Sequence, residues 1–446
     1  MRNYAKVCLA LVCCFMLSCK KEKQLTILEV TVLNPKEEST IMLTNNSNNE
    51  YLKELKLSKH FIDTLDISKS DYHNFFFNRI PVISLYIEKG KRCKIIVNTD
   101  VTPNAVSFAG DNQDINEYLM YKRTSDSNYF PLKEKAFLAK ENSRRADLIA
   151  KIEGFSPSFK EKELKEIDTE YYRDLFLYPQ IHGRASQQPN FKVSANYYDF
   201  TKNIKPTEVG ESMTAVFMLT DYYKWLANKK AEKYEGNMDM AFFHEVAKDL
   251  PNGLLKDEIF SINRSNATRL ENPLEEIKQL VNANMENVEK RDDLITRLTS
   301  LQQLKKGKKA PFFEAENING EKMDVEDFKG KLTYIDVWAT TCEPCIKEMP
   351  AFKKLESKFK NVNFVSLSID RKQFYDRWKG VIKEKELTEE SQFINFEDKK
   401  FGMDYVISGI PRYIVLDKEG QIINAFAKGP SDPELEKELI ALGATM

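Results

Sequence analysis

The sequence has almost no net charge, because its 67 Lys and Arg residues are balanced by 68 Asp and Glu residues. A chain without a basic excess lacks the electrostatic footprint of nucleic-acid binding, so we expect no nucleic-acid partner. The mean hydropathy of −0.50 excludes a polytopic membrane protein. Histidine is rare and lacks metal-ligand spacing, so we expect neither a metal site nor a cofactor. The four histidines are His60, His73, His182 and His244.

The apolar run near the N-terminus is too short to span a bilayer. Arg2 and Lys6 precede this run, Val7–Leu17, and Ser18-Cys19 follows it. This pattern is typical of a secretory signal, here residues 1–18. The segment Met16-Leu17-Ser18-Cys19 resembles the lipobox of bacterial lipoproteins, which implies cleavage before Cys19 and attachment of lipid to it. The alternative is a plain signal peptide with incidental cysteines.

Cysteine is scarce, with seven residues in 446. Loss of the signal and lipidation of Cys19 would leave Cys93, Cys342 and Cys345 as thiols. One close pair cannot supply a framework of stapling disulfides, even in an exported chain where disulfides persist. The pair Cys342–Cys345 therefore indicates chemistry rather than scaffolding. Cys93 is expected to be a small, buried or half-buried thiol.

Three regions follow the signal, so the expected fold class is multidomain. Residues 19–110 contain short alternating or β-branched runs between turn clusters, which predicts an all-β N-terminal module. Residues 111–304 have apolar side chains at helical spacing, which predicts a central α-helical region. Within it, Asn272-Pro273-Leu274-Glu275 predicts a helix start with Asn272 as the N-cap. The basic run 305–309 predicts a linker into the last domain, 305–446.

The last domain alternates strands and helices. Phe312–Ile318 and Lys322–Val325 flank Asn319-Gly320, which is a strong hairpin signal. The apolar strands Lys331–Trp338 and Val362–Ile369 enclose a helix, and this order implies a right-handed parallel crossover. The domain is therefore expected to have an α/β fold.

The segment Cys342-Glu343-Pro344-Cys345 stands where the first crossover strand passes into its helix. Free N–H groups and the positive dipole end at a helix start stabilise a thiolate, which makes Cys342 the candidate nucleophile. Cys345 lies one turn further along and can resolve a mixed disulfide, so the two form a candidate redox-active disulfide. Half of a zinc site is the first alternative, although no second Cys/His pair lies nearby. An incidental structural pair is the second.

The domain resembles the thioredoxin superfamily, because Trp338-Ala339 precedes the CxxC and Pro350 follows it. The resemblance implies a thioredoxin fold for 305–446. It also makes Asp336 the buried carboxylate that assists proton transfer at the resolving cysteine. Ile410-Pro411 matches the cis-proline loop facing the disulfide, so Ile410, Pro411 and Trp338 are the expected substrate contacts. Asp336 could instead be a strand-end carboxylate bonded to the backbone, and Pro411 an ordinary trans turn residue.

More narrowly, the domain is similar to the TlpA/ResA-type branch of that superfamily. The resemblance rests on Ala310-Pro311-Phe312-Phe313, the Asn-Gly hairpin, Trp338–Cys345 with Glu348-Met349-Pro350, and Gly409-Ile410-Pro411. It implies a membrane-attached, periplasm-type oxidoreductase of the kind linked to cytochrome c maturation or thiol reduction. In this chain Thr341 replaces the common Trp before the first cysteine. The stretch from Asp370 to Ser408 is also long, and its pattern predicts a helical insertion.

We therefore expect a thiol-disulfide oxidoreductase on the periplasmic side of the cell envelope, lipid-anchored through Cys19. It would reduce or isomerise disulfides of exported proteins. Glu343 should raise the pKa of Cys342 and make the dithiol less oxidising, which favours a reductant. Such a reductant would be recharged by a membrane thiol donor such as a DsbD/CcdA-type protein. The alternative function is a partner- or glycan-binding lipoprotein whose thioredoxin-like domain is accessory.

Overall fold

The computed structural model describes residues 25–35, 39–45, 51–57, 59–78, 80–100, 105–124, 129–269, 271–396 and 398–445. The expected signal segment and Cys19 lie outside this part of the chain. By its internal contacts the chain divides into two compact units. One contains the residues up to Ile167 together with Ile181–Pro189, and the other contains Asp168–Gln180 and everything from Asn190 onward. The domain borders expected at 110 and 304 are not the borders of these units and stay a prediction.

The first unit begins with the predicted β module, which its described residues confirm. Its strands are β1 (Thr26–Leu33), β2 (Ser39–Asn45), β3 (Tyr51–Leu57), β4 (His60–Leu65), β5 (Asp71–Phe77), β6 (Ile80–Ile87), β7 (Arg92–Asn98) and β8 (Ala105–Gly110). They form two four-stranded sheets, ordered β4-β1-β7-β8 and β3-β2-β5-β6. Side chains alternate along each strand, so Cys93, Ile95 and Val97 of β7 all enter one hydrophobic core.

Helices α1 (Gln113–Thr124), α2 (Glu134–Lys151) and α3 (Pro157–Ala185) follow the β module. Within the first unit, Glu163 is fully buried. Its carboxylate accepts hydrogen bonds from the Tyr118 hydroxyl and the Lys122 ammonium, both at 2.9 Å. The Tyr72 hydroxyl of β5 also donates to it. A buried carboxylate is stable only with such partners, so this cluster has a structural role.

The second unit continues the predicted helical region. Its helices are α4 (Met213–Lys230), α5 (Met238–Asp249), α6 (Leu254–Ile262), α7 (Arg264–Ala267), α8 (Leu274–Asn284) and α9 (Val288–Gln303). The prediction of Asn272 as the N-cap is wrong, because α8 begins at Leu274 and Pro273 is its N-cap residue. The Asn272 amide is already engaged, since it donates to the Asn266 carbonyl at 2.7 Å and accepts from Asn237 at 3.0 Å.

The C-terminal part of the second unit is built on one seven-stranded sheet. The strands are β9 (Glu314–Asn317), β10 (Lys322–Asp324), β11 (Leu332–Trp338), β12 (Val362–Ser368), β13 (Gln392–Ile394), β14 (Arg412–Leu416) and β15 (Ile422–Asn424). The helices are α10 (Glu343–Lys358), α11 (Tyr375–Glu384), α12 (Lys399–Asp404) and α13 (Pro433–Ala441). The strand order is β10-β9-β13-β12-β11-β14-β15. β11 and β12 are parallel and joined by α10, which confirms the predicted crossover.

Two expectations for this part need correction. The basic run 305–309 is not a free linker. The Gly307 N–H donates to the Ile422 carbonyl at 2.8 Å, and Lys309 forms an isolated antiparallel β-bridge with Gln421. The insertion after Asp370 is not wholly helical. Its short strand β13 pairs in parallel with β12 and extends the sheet.

One hydrophobic core runs through the second unit across position 304. Leu298, Leu301 and Leu304 belong to the same buried cluster as Phe313 and Tyr405. The helical region and the sheet domain are therefore packed together rather than joined only through a tether. No helix in the described part of the chain has the length and apolar character required to cross a membrane.

Candidate active site

The two cysteines of the CxxC meet at the N-terminus of α10. Cys342 is the N-cap residue of the helix, and its sulfur accepts the Cys345 N–H at 3.2 Å. The two sulfurs are joined in a disulfide, with the Cα atoms 5.3 Å apart. Cys342 is 8% exposed whereas Cys345 is 1% exposed. An incoming thiol or disulfide therefore reaches Cys342 more readily, and in this state neither sulfur is free to hold zinc.

Asp336 lies in the centre of the sheet, on β11. Alternation along the strand places its side chain on the same face as Tyr334 and Trp338. Helix α10 covers this face, since Phe352 packs near Tyr334 and Cys345 packs with Trp338. Asp336 is 2% exposed, and its Oδ1 has no hydrogen-bond partner among the described residues. The carboxyl is therefore not held by the backbone as the alternative interpretation required.

The environment of Asp336 changes its acidity strongly. Burial raises its pKa to about 8, and the negative charge of Glu348 contributes in the same direction. Burial penalises the charged form because the surroundings cannot solvate a carboxylate. A carboxyl group with this pKa can take up and release a proton near neutral pH.

The loop before β14 approaches the disulfide from another part of the chain. The Ile410–Pro411 peptide bond is cis, so Pro411 is not the ordinary trans turn residue of the alternative interpretation. Ile410 is half-buried and packs against the cluster that contains Trp338, Cys342 and Cys345. The structure thus brings Ile410 next to the redox pair, while the substrate contacts of Ile410 and Pro411 stay predictions.

Comparisons with known proteins match the C-terminal part of the chain, which contains this site, to thioredoxin-like proteins. The Redoxin family model matches residues 305–439. Thioredoxin-like protein YneN of Bacillus subtilis is 32% identical over 146 residues, which are 30% of this chain and 79% of that protein. Thiol-disulfide oxidoreductase ResA of Bacillus cereus is 30% identical over 135 residues, which are 30% of this chain and 76% of that protein. The chain belongs to the thioredoxin-like thiol-disulfide oxidoreductases.

Among solved structures, the oxidoreductase is similar to the thioredoxin domain of a thiol-disulfide oxidoreductase from Bacteroides vulgatus. The two are 29% identical, and the match covers 31% of this chain and 97% of that one, with a TM-score of 0.28. StoA from Bacillus subtilis matches at 25% identity over 29% of this chain and 97% of that one, with a TM-score of 0.25.

One expected substrate contact of the oxidoreductase is wrong. Trp338 is fully buried, in a cluster with both cysteines, Met349 and Trp378. A side chain without exposed surface cannot offer a face to a substrate. Trp338 instead supports the disulfide from inside the domain. The local pattern does not predict this burial, because a strand buried on both faces has no polar side to orient it.

Glu343 has a different setting in the oxidoreductase from the one assumed. Its carboxylate lies 2.7 Å from the Lys347 ammonium, one helical turn along α10, and both side chains are largely exposed. An exposed pair of this kind is weak, yet it places a cation beside the charge that was expected to act alone on Cys342. The expected effect of Glu343 on the pKa of the Cys342 thiol stays a prediction.

Glu348 is a residue of the site to which sequence reasoning assigned no role. Its negative charge raises the pKa of Asp336, and its carboxylate accepts hydrogen bonds from the Ser431 N–H at 2.9 Å and hydroxyl at 2.7 Å. The available signal was its spacing, because a residue three positions after Cys345 lies on the same helix face. The remaining thiol, Cys93, is buried as expected, and burial raises its pKa to about 12.

Proposed function

We propose that this oxidoreductase works outside the cytoplasm, anchored by lipid on Cys19, and reduces or isomerises disulfides of exported proteins. The observation that carries the redox half of the proposal is the asymmetry of the pair. The sulfur at the helix start is the more exposed one, and the buried partner lies on the helix face that covers Asp336. The signal-like N-terminus with Cys19 supports the location.

The reaction starts from the reduced protein. The Cys342 thiolate attacks one sulfur of a substrate disulfide, the substrate S–S bond breaks, and the leaving sulfur takes a proton from water. Cys345 then gives its proton to the ionised carboxylate of Asp336 and attacks the Cys342 sulfur. The mixed disulfide breaks, and the second substrate sulfur leaves. The substrate has gained two electrons, and the protein holds the Cys342–Cys345 disulfide.

Return to the dithiol requires two electrons from a reduced thiol donor. We propose a membrane donor of the DsbD/CcdA type, because an anchored protein meets partners in the same membrane at high effective concentration. The alternative, a binding lipoprotein with an accessory redox domain, receives less support. Leu298 and Leu301 of the helical region pack in one core with the redox domain, which is not expected of an accessory domain joined only by a tether.

The direction of electron flow is tested by the reduction potential of the pair. We expect a value closer to about −270 mV than to about −120 mV, the two ends of the range for thioredoxin-type pairs. Equilibration with thiol buffers of known potential, followed by alkylation and mass measurement, gives this value. Glu343→Gln should move the potential toward the oxidising end, because it removes the charge that is expected to raise the pKa of Cys342. A potential near the oxidising end would contradict a reductant.

Anchoring is tested by metabolic labelling with radioactive palmitate. We expect the full-length protein to incorporate the label and to sediment with membranes, and Cys19→Ser to do neither. Cys14→Ser is the matched control, since this residue would leave with the signal and its loss should not affect labelling. Label that survives in Cys19→Ser would contradict lipidation at this residue.

A further inference from the structure

Thr340, two residues before Cys342, is bound through all of its polar backbone and side-chain groups. Its N–H donates to Oδ2 of Asp370 at 2.8 Å, and its hydroxyl donates to Oδ1 of the same carboxylate at 2.9 Å. Its carbonyl accepts from Nη2 of Arg377 at 3.1 Å. Both partners come from one segment, residues 370–377, at the start of the insertion. The residue is itself 5% exposed.

The sheet brings these groups together. Trp338 of β11 and Ser368 of β12 are register partners in parallel strands, so the residues that follow them emerge at the same edge of the sheet. The Ile369 N–H donates to the Trp338 carbonyl at 2.9 Å and extends the pairing by one step. Thr340 and Asp370 thus lie opposite each other just beyond the strand ends.

The Asp370 carboxylate is well satisfied in this position. It is 4% exposed, and it accepts a hydrogen bond from the Ser368 hydroxyl at 2.8 Å in addition to the two hydrogen bonds from Thr340. A buried carboxylate with three donors is a rigid anchor, because each lost donor leaves a costly unpaired acceptor. The Arg377 side chain is exposed, and its guanidinium donates a charge-assisted hydrogen bond to the Thr340 carbonyl.

We infer that Asp370 and Arg377 are positioning residues for the nucleophile: they fix Thr340, and through it the turn that places the Cys342 sulfur at the start of α10. The turn is tight, since the Cys342 N–H donates to the Ala339 carbonyl at 2.9 Å. A helix start stabilises a thiolate only when the sulfur lies close to its free N–H groups. The inference deepens the proposed function and rests on it. It gives the insertion, whose helix α11 carries Arg377, a role in positioning the nucleophile.

The experiment compares Arg377→Met, Thr340→Val and Thr340→Ser with wild type. The first readout is the rate at which iodoacetamide alkylates Cys342 in the reduced protein, measured from pH 5 to 10. The second readout is the pair of constants kcat and KM for insulin reduction, determined separately for each variant. We expect Arg377→Met and Thr340→Val to lower alkylation at pH 7 and kcat by about fivefold each, the equivalent of one lost hydrogen bond. KM should not change, and Thr340→Ser should match wild type because it keeps the hydroxyl.

Lys383→Met is the matched control. It removes a cation from the exposed face of the same helix and should leave both readouts unchanged. The inference would be overturned if Arg377→Met had the alkylation profile and the kcat of the wild type, or if only its KM changed. It would also be overturned if Lys383→Met lost as much alkylation rate and kcat as Arg377→Met. Arg377 is exposed, so this variant is informative even where Thr340→Val fails to fold. A wild-type protein that does not reduce insulin would instead count against the proposed function, while the alkylation profile would still test the positioning.

Discussion

Replacing Asp336 with Asn should increase the free energy of unfolding at pH 7 by about 4 kcal/mol. The folded protein holds the Asp336 proton up to a pKa of about 8, whereas the unfolded chain releases it near pH 4. The contribution of Asp336 to stability is therefore fully present below about pH 4 and is lost as the pH rises to about 8. Asn has no proton to lose, so its advantage grows across this window and is small at pH 4.

The measurement is urea unfolding at several pH values between 4 and 9. Glu348→Gln is the informative companion, because it removes the charge that helps to raise the pKa of Asp336. In this variant the part of the stability that is linked to Asp336 should be lost over a narrower pH range than in the wild type. Equal pH dependence in wild type and Asp336→Asn would contradict a buried, titrating Asp336.

The same substitution should slow turnover even though it stabilises the fold. Asn cannot accept the proton of Cys345, and a correctly placed general base contributes about a hundredfold or more. Wild-type turnover should rise between pH 6 and 9 as Asp336 ionises, and the variant should lose this rise. Unchanged rates across this range would leave Asp336 without a catalytic role.

Cys342→Ala should abolish disulfide reduction, with a loss of about a thousandfold or more, because the other thiols of the described residues, Cys93 and Cys345, are each only 1% exposed. Insulin reduction with dithiothreitol as the electron donor measures this directly. Cys93→Ala is the matched control, since this thiol is buried and lies in the other compact unit. Equal activity in Cys342→Ala and wild type would remove the enzymatic role of the pair.

Much of the redox domain was accessible from local sequence signals. The Asn319-Gly320 hairpin, the apolar strands of the crossover and the position of the CxxC at a strand-to-helix junction each follow from short-range chemistry. The helix start at Asn272 illustrates the limit of such signals, because a capping pattern does not show that the Asn amide is already bound to Asn266 and Asn237. The short strand β13 was missed because three residues carry too little periodicity.

The tertiary parts of the site could not be inferred in this way. The burial of Trp338 depends on which elements cover both faces of β11. The effect of Glu348 on Asp336 depends on the distance between a helix and a strand. The contact between Arg377 and Thr340 joins residues 37 positions apart, and nothing in either local sequence indicates it. The shared core around Leu301 and Tyr405 likewise depends on packing between the helical region and the sheet domain.

The most direct test of the central claim is to trap the mixed disulfide. Cys345→Ala leaves the Cys342 nucleophile in place and removes the thiol that releases the substrate. We expect this variant, produced as the full-length protein, to accumulate mixed-disulfide complexes with exported proteins, and dithiothreitol should release these proteins by reduction. The double variant Cys342→Ala/Cys345→Ala should form none. Absence of such complexes from Cys345→Ala, or equal amounts in the double variant, would contradict a Cys342-centred oxidoreductase acting on exported proteins.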